Sequence, residues 1–216
     1  DRFGYVKSVD VPTYERNKEA ADAEFRRIIP CMSDDKICLF TNTGQMHLVK
    51  MSDVPFGKFR EKGIPVDNIC NYSSGSEELA AILCLSDLKD KKLLFVTRTS
   101  MIKLVDGAEF DVSKRTTAAT KLAEKDQVLC VGVAAPEDTL VLQSEKNYFL
   151  RMQVGDIPEK KKGAIGVRGM RLGKDEGIVS AWILQADAEI TVKVKDREVA
   201  LNRLHIGSRD SRGVKR

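Results

Sequence analysis

Lysine and arginine recur in short loops along this sequence: Arg16 and Lys18; Lys58, Arg60 and Lys62; Lys114 and Arg115; Lys160, Lys161 and Lys162; Arg209, Arg212, Lys215 and Arg216. Arg168 follows one of these loops closely. Cations grouped this way neutralise phosphates, and each polynucleotide phosphate so neutralised releases condensed counterions. A single lysine-rich loop is ordinarily just solvated surface. Five loops at one phase of a repeat are better explained as a track for a bent polyphosphate backbone.

Other chemistries have weaker support. His47 and His205 are the only histidines, with no HExxH spacing and no nearby carboxylate pair. The five cysteines, Cys31, Cys38, Cys70, Cys84 and Cys130, are odd in number and lack a CxxC pair. Four stand beside Ile, Leu or Val, as reduced core thiols do. The glycines of Lys162-Gly163-Ala164-Ile165-Gly166-Val167-Arg168-Gly169 match neither a Walker A loop nor GxGxxG. They are expected to let the backbone turn, or to let a phosphate approach closely. No serine, histidine and carboxylate set carries a local nucleophile signature. Trp182 and most aromatics lie on apolar strands, so base stacking and sequence readout are not indicated.

The elements that must position the cations are repeated. Thr41, Gly44, Asp53 and Pro55 each stand 103 positions before Ser144, Asn147, Asp156 and Pro158. Each unit opens with an apolar strand, a tight turn, a second strand and then the basic loop. A third copy runs through Leu94–Thr97, Ser100 and Met101–Val105. A period of roughly 40 to 55 residues marks a stacked or radial array of one supersecondary unit. Strands are predicted at Ile37–Thr41, Gln45–Met51, Val66–Asn71 and Leu79–Leu85; at Leu93–Thr97, Met101–Asp106, Ala118–Leu122 and Gln127–Ala134; and at Leu140–Gln143, Tyr148–Val154, Ile165–Leu172 and Val179–Gln185. A last hairpin is expected at Ile190–Val194 and Val199–Leu204, ahead of a basic tail. Aligned on Gly4, the first residues supply a second strand, with Tyr14 at the position of Phe110. Phe25–Ile29 is read as a third strand there, and Asn17–Phe25 suits a polar loop or a short helix. The array is all-β and propeller-like. Its partial end units could complete one another or exchange strands, giving a closed or nearly closed disc.

Bulk properties agree. The chain has 216 residues, 42% hydrophobic and 31% charged, with net charge +4 and pI near 8.7. That permits a polyanion partner without requiring one. No apolar run approaches the length of a transmembrane helix, and no secretory segment precedes the first strand. Because it begins at Asp1 in mid-pattern, the chain is expected to be a piece of something longer.

Leu39-Phe40-Thr41-Asn42-Thr43-Gly44, Asp53-Val54-Pro55, Phe3-Gly4-Tyr5-Val6-Lys7 and Lys162 to Leu172 resemble the repeats of the carboxy-terminal domain of bacterial type IIA DNA topoisomerase A subunits, those of DNA gyrase and topoisomerase IV. The resemblance spans essentially the whole chain. It implies a β-pinwheel of four or five four-stranded blades with strands exchanged between them. The single DNA-binding domain, 1–216, would divide into units of about 1–34, 35–90, 91–138, 139–188 and 189–216. It also implies a non-catalytic domain bending double-stranded DNA around its basic rim, largely without regard to sequence. The strand-cleaving tyrosine would lie in another domain, so Tyr5, Tyr14, Tyr72 and Tyr148 are not assigned that role. The implied protein partners are an ATPase B subunit together with the rest of the A subunit, in the bacterial cytoplasm at the nucleoid. ATP and magnesium would act elsewhere in the parent enzyme, with no cofactor in this domain. Gyrase carries a QRRGGKG-type box just after the position of Tyr14; here the residues are Glu15-Arg16-Asn17-Lys18-Glu19-Ala20-Ala21. That departure favours a topoisomerase IV-like domain over a gyrase wrapping domain. A propeller serving as a protein-interaction scaffold remains the alternative from another class, and an enzyme with its site in the central channel is the weakest.

Overall fold

Apolar runs flanking a tight turn dictate one local unit, a β-hairpin whose turn needs a left-handed residue. That position is filled in turn by Gly4, Gly44, Ser100, Asn147 and Lys195, all at positive φ. The computed structural model describes residues 1 and 3–216. In chain order its elements are β1 (Tyr5–Val6), α1 (Val11–Arg16), α2 (Lys18–Glu24), β2 (Lys36–Thr41), β3 (Gln45–Lys50), β4 (Ile64–Pro65), β5 (Leu79–Cys84), β6 (Lys92–Thr97), β7 (Met101–Asp106), β8 (Thr116–Ala118), β9 (Val128–Ala134), β10 (Thr139–Ser144), β11 (Tyr148–Gln153), β12 (Val167–Arg168), β13 (Ile178–Leu184), β14 (Thr191–Val194), β15 (Arg197–Ala200) and β16 (Val214–Lys215).

Three antiparallel sheets have four strands, in the orders β5-β2-β3-β8, β12-β7-β6-β9 and β13-β10-β11-β16; β1-β4 and β14-β15 form two-stranded sheets. Each four-stranded sheet combines three strands of one unit with a fourth from the unit that follows. Thus β8 pairs with β3, β12 with β7 and β16 with β11, while β4 pairs with β1. Strand exchange is therefore present at every junction. Strands β5, β9 and β13 contact one another, so they line the inner side and β4, β8, β12 and β16 form the outer edge. Apolar cores sit between neighbouring sheets. One gathers Phe40, Phe95 and Phe110, with ring centroids 5.3–5.9 Å apart. The four cores link the units in series, and none contains residues of both the first unit and the last.

Several sequence expectations change. The third strands predicted at Val66–Asn71, Ala118–Leu122 and Ile165–Leu172 are only two or three residues long, at Ile64–Pro65, Thr116–Ala118 and Val167–Arg168. They only touch the outer edge of the preceding blade before the chain turns away. Phe25–Ile29 forms no strand, and no earlier blade among the described residues offers it an edge. The Phe25 ring instead meets Phe59 edge-on at 5.9 Å. Of the two readings of Asn17–Phe25, the helical one holds: α2 runs through it. In the other units a 3-10 turn follows the second strand. In the first, α1 stands there, capped by the Asp10 carboxylate accepting from the Thr13 amide at 2.6 Å. Tyr14 consequently lies on a helix, half-buried, and is not equivalent to the buried Phe110.

Three glycines make the exchange possible. A Cβ on Gly63 would stand 2.2 Å from the Val6 carbonyl oxygen, on Gly166 2.3 Å from that of Ile102, and on Gly213 2.4 Å from that of Phe149. The close approach these glycines permit is that of one backbone to another across the blade junction. Gly166→Ala should destabilise the domain by about 1–3 kcal/mol, as overpacking does, with Gly163→Ala, which meets open space, as the neutral control. Equilibrium urea unfolding of the two variants checks this.

Candidate nucleic-acid interface

The basic loops are straps. Each runs from one unit to the outer strand of the blade before it, and the contact is built the same way every time. Four residues after the left-handed turn position, Ser8, Leu48, Leu104 and Arg151 meet the incoming chain in parallel. The Ser8 amide donates to the Pro55 carbonyl at 2.8 Å, Leu48 to Arg115 at 2.8 Å and Leu104 to Pro158 at 3.2 Å. The Arg151 carbonyl accepts from the Gly207 amide at 2.8 Å. The strap then loops outward and returns as the short antiparallel strand.

What holds the loop lies beneath it, one residue earlier. Lys7 Nζ donates to the carbonyls of Lys58, Phe59 and Glu61, the last at 2.6 Å. Lys103 Nζ donates to those of Lys161, Lys162 and Ala164 at 2.7–3.1 Å. The two sets of acceptors stand in one register. Lys103 is 1% exposed, and burial pushes its ammonium down to about 8 although Glu109 opposes the shift. At the second junction His47 takes this place, 3.0 Å from the Thr116 hydroxyl and 3.0 Å from Glu77. At the fourth, Leu150 stands there and Arg151 reaches the carbonyls of Asn202 and Leu204. Lys7, Lys103 and Arg151 were not singled out in the sequence. Their signal was position, three or four residues beyond each turn.

The sequence-predicted cations divide between these surroundings. Lys58, Arg60 and Lys62 lie exposed on the first strap, Lys62 4.2 Å from the centre of the Tyr5 ring. Lys114 and Arg115 lie exposed on the short second strap. Lys160 and Lys161 lie exposed on the third, Lys161 3.4 Å from Glu109. Lys162 is half-buried, donating to the Glu109 carbonyl at 3.0 Å. Arg209, Lys215 and Arg216 are exposed on the fourth strap and tail.

Arg168 joins the fourth strap through Asp210 at 3.4 Å, and Arg209 donates to the Arg168 carbonyl at 3.1 Å. The third and fourth straps thus form one basic patch. Arg171, absent from the sequence expectations, belongs to it, exposed and 3.8 Å from Asp210. Arg16 and Lys18 are displaced from the expected pattern. They stand exposed on α1 and α2, because the first unit sends no strap to an earlier blade.

Arg212 is committed to the fold. Its guanidinium lies 4.0 Å from the centre of the Tyr148 ring and 2.7 Å from the carboxylate of Glu176, whose side chain is 0% exposed. Burial alone would raise the Glu176 pKa. Hydrogen bonds from Ser144, the Gly173 amide and Arg212, with the Arg212 charge, outweigh it and bring the carboxyl down to about 2.

Among the described residues no three His, Cys, Asp or Glu side chains converge for a metal. The pockets are small, about 180 Å³ beside β15 and about 60 Å³ between β5 and β9. Among those same residues no helix is long and apolar enough to cross a membrane. The chemistry available on the surface is that of fixed cations along the outer edges of stacked sheets.

Fold and edge together define a strand-exchanged propeller-type domain of the kind carried at the end of bacterial topoisomerase subunits. The family model described as DNA gyrase C-terminal domain, beta-propeller, matches residues 35–86, 91–131 and 138–181, and the chain belongs to that family. The DNA gyrase A subunit of Lawsonia intracellularis is 29% identical over 196 residues, covering 85% of this chain and 24% of that protein. Its Escherichia coli K12 counterpart is 24% identical over 226 residues, covering 98% and 26%. The chain therefore spans about a quarter of the length of these relatives. A crystal structure of the C-terminal domain of DNA topoisomerase IV superposes with a TM-score of 0.84 at 22% identity, covering 98% of this chain and 69% of that one. The E. coli ParC C-terminal domain gives 0.73 at 18% identity, covering 89% and 80%. These likenesses confirm the all-β pinwheel fold, with three complete four-stranded blades and two end units of two strands each among the described residues.

The Glu176 contact carries a sign that can be checked. A carboxyl whose folded pKa lies near 2 against an ordinary 4.5 contributes stability that is fully present above about pH 4.5. It is lost as pH falls towards 2. Glu176→Gln should remove that part of the acid slope, and Arg212→Ala should shrink it while lowering Tm at pH 7. Thermal melts of the three proteins between pH 2 and 6 provide the comparison.

Proposed function

We propose that this domain binds and bends double-stranded DNA along its basic edge, as part of a type IIA topoisomerase A subunit, by contacts to the phosphate backbone. The observation that carries the reading is the strap geometry. Lys58, Arg60 and Lys62, Lys114 and Arg115, Lys160 and Lys161, and Arg168, Arg171 and Arg209 all sit at or beside the junctions where outer strands are exchanged. Each group is held by backbone pairing, so the cations are preorganised along one side of the array. Such a series fits a curved polyanion. Smooth bending of 20 to 30 base pairs costs on the order of 1 to 6 kcal/mol, which additional phosphate contacts along the curve offset.

In the parent enzyme this domain would hold the transported DNA segment and tune relaxation, decatenation or supercoiling, without itself cleaving DNA. ATP and magnesium would act on other domains or on the B subunit, which with the rest of the A subunit is the protein partner. The compartment is the bacterial cytoplasm, at the nucleoid. The topoisomerase IV-like assignment is preferred over a gyrase wrapping domain because α1 and α2 occupy the place of the gyrase box. Its paired arginines and glycines have no counterpart in Glu15 to Ala21.

A 40-base-pair duplex labelled at both ends tests the reading. Titration should show affinity falling steeply with salt, with energy transfer between the ends rising on binding. Combined Lys58→Ala, Arg60→Ala, Lys160→Ala and Lys161→Ala should weaken binding alike on all sequences. It should also flatten the slope of log K against log salt by about 0.9 for each phosphate no longer neutralised. Absence of binding at low salt would overturn the proposal in favour of a protein-interaction scaffold. Preferential loss on one sequence would overturn backbone-only recognition.

A further inference from the structure

Two straps carry exposed apolar side chains that solvent does not favour. Phe56 is 72% exposed and Ile206 is 44% exposed. Both occupy the same place in the repeat, at the parallel contact where the strap meets the blade before it. Phe56 pairs with Ser8 and Ile206 with Arg151, and the third strap has Glu159 there, opposite Leu104. Neither apolar residue sits on a floppy tip. The chain on either side of Phe56 is pinned, with the Ser8 amide on the Pro55 carbonyl at 2.8 Å and the Gly57 amide on the Ser8 carbonyl at 3.1 Å. Beside Ile206 the Gly207 amide is fixed to Arg151 at 2.8 Å. Lys58 and Arg60 follow Phe56 at once, and Arg209 follows Ile206. An exposed apolar residue is unremarkable alone. A rigidly presented one at the root of a cationic loop, recurring in register, fits a duplex whose phosphates lie on the cations and whose stacked bases lie between them.

We propose that Phe56 and Ile206 are wedges that press into base steps of the DNA duplex held by the first and fourth straps, localising its bend as kinks. The inference rests on the DNA-binding reading above and specifies its mode. Apolar wedges that unstack a step bend the duplex away from themselves and allow more of it to follow the protein. Pyrimidine–purine steps unstack most readily. Kinks should therefore settle at TA and CA steps, giving a positional preference without base hydrogen bonds. The third strap, with Glu159 in place of an apolar residue, should guide the backbone and leave the stack intact.

The test uses the 216-residue chain and a 40-base-pair duplex carrying 2-aminopurine beside a single central TA step, with the two ends labelled. Binding should raise 2-aminopurine fluorescence together with end-to-end transfer. Phe56→Ala with Ile206→Ala should abolish the fluorescence rise and reduce the transfer while leaving the salt slope unchanged, because no phosphate contact is removed. Phe56→Leu, which keeps an apolar wedge, should retain both signals. Thermal melting confirms that the exposed substitutions leave the fold intact. Bending by the double-alanine variant equal to that of the parent, or no fluorescence rise with the parent, overturns the wedge while leaving backbone binding in place. Failure of the parent to bind overturns both readings, and the two failures are thereby distinguished.

Discussion

An unpaired sheet edge dominates the energetics of this domain. The second strand of each unit, such as β3, β7 or β11, would present a row of free backbone donors and acceptors if its blade ended there, a template for aggregation. The chain covers that edge with the third segment of the next unit, using only two or three paired residues. So brief a pairing supplies little by itself. It needs the parallel contact four residues beyond the turn, and it needs a glycine such as Gly166 or Gly213 where the backbones nearly touch. Covering the edge also ties each unit to its neighbour, so the array is held by exchange as well as by the apolar cores between sheets.

Looping the strap outward creates a second difficulty, because its carbonyls turn towards the blade and away from water. Lys7 and Lys103 answer it by donating to three carbonyls apiece. A buried ammonium is costly unless it is fully hydrogen-bonded, and three acceptors match the three donors of the group. The consequence reaches the surface. With carbonyls facing inward and their lysine beneath, the strap's own side chains point outward, and those side chains are Lys58, Arg60, Lys160 and Lys161. Structural cations underneath and solvent-facing cations above thus have separate duties within one loop. Arg212 shows the boundary, since its bond to the buried Glu176 makes it part of the scaffold although its sequence position suggested the rim.

Hairpins and their phase were legible in the sequence because they depend on local pattern: apolar runs and a turn position repeated from Gly44 to Asn147. The β-pinwheel exchange was legible only through the family resemblance of whole motifs. What escaped was non-local. The length of β4, β8 and β12 is set by the edge they meet, so strong apolar character in Ile165 to Leu172 overstated the strand. Val66 and its neighbours form a 3-10 turn for the same reason. In the first unit, Phe25 to Ile29 had a strand's composition and no edge to join. The basic loops were found by charge alone, which cannot separate Arg212, paired inside, from Arg209, exposed outside. Nor could charge reveal that Arg168 and Arg171, downstream of the third strap, would be brought beside the fourth.

The four junctions are not equivalent, and the differences bear on how evenly the edge can act. Lys7 and Lys103 stand beneath long loops, Lys58–Gly63 and Lys161–Gly166. His47 stands beneath a short one in which β8 pairs directly with β3 as far as Thr116. A shorter loop projects less and carries only Lys114 and Arg115. The fourth strap is anchored differently again, by Arg212 on Glu176 and Tyr148. Cationic density is therefore concentrated at the first strap and at the joined third and fourth straps, with a weaker stretch between. A polyanion held at two strong stations across a weaker span is bent by the placement of those stations. Curvature on this reading follows from the relative orientation of rigid blades, and the number of surface charges sets only how firmly the bend is held.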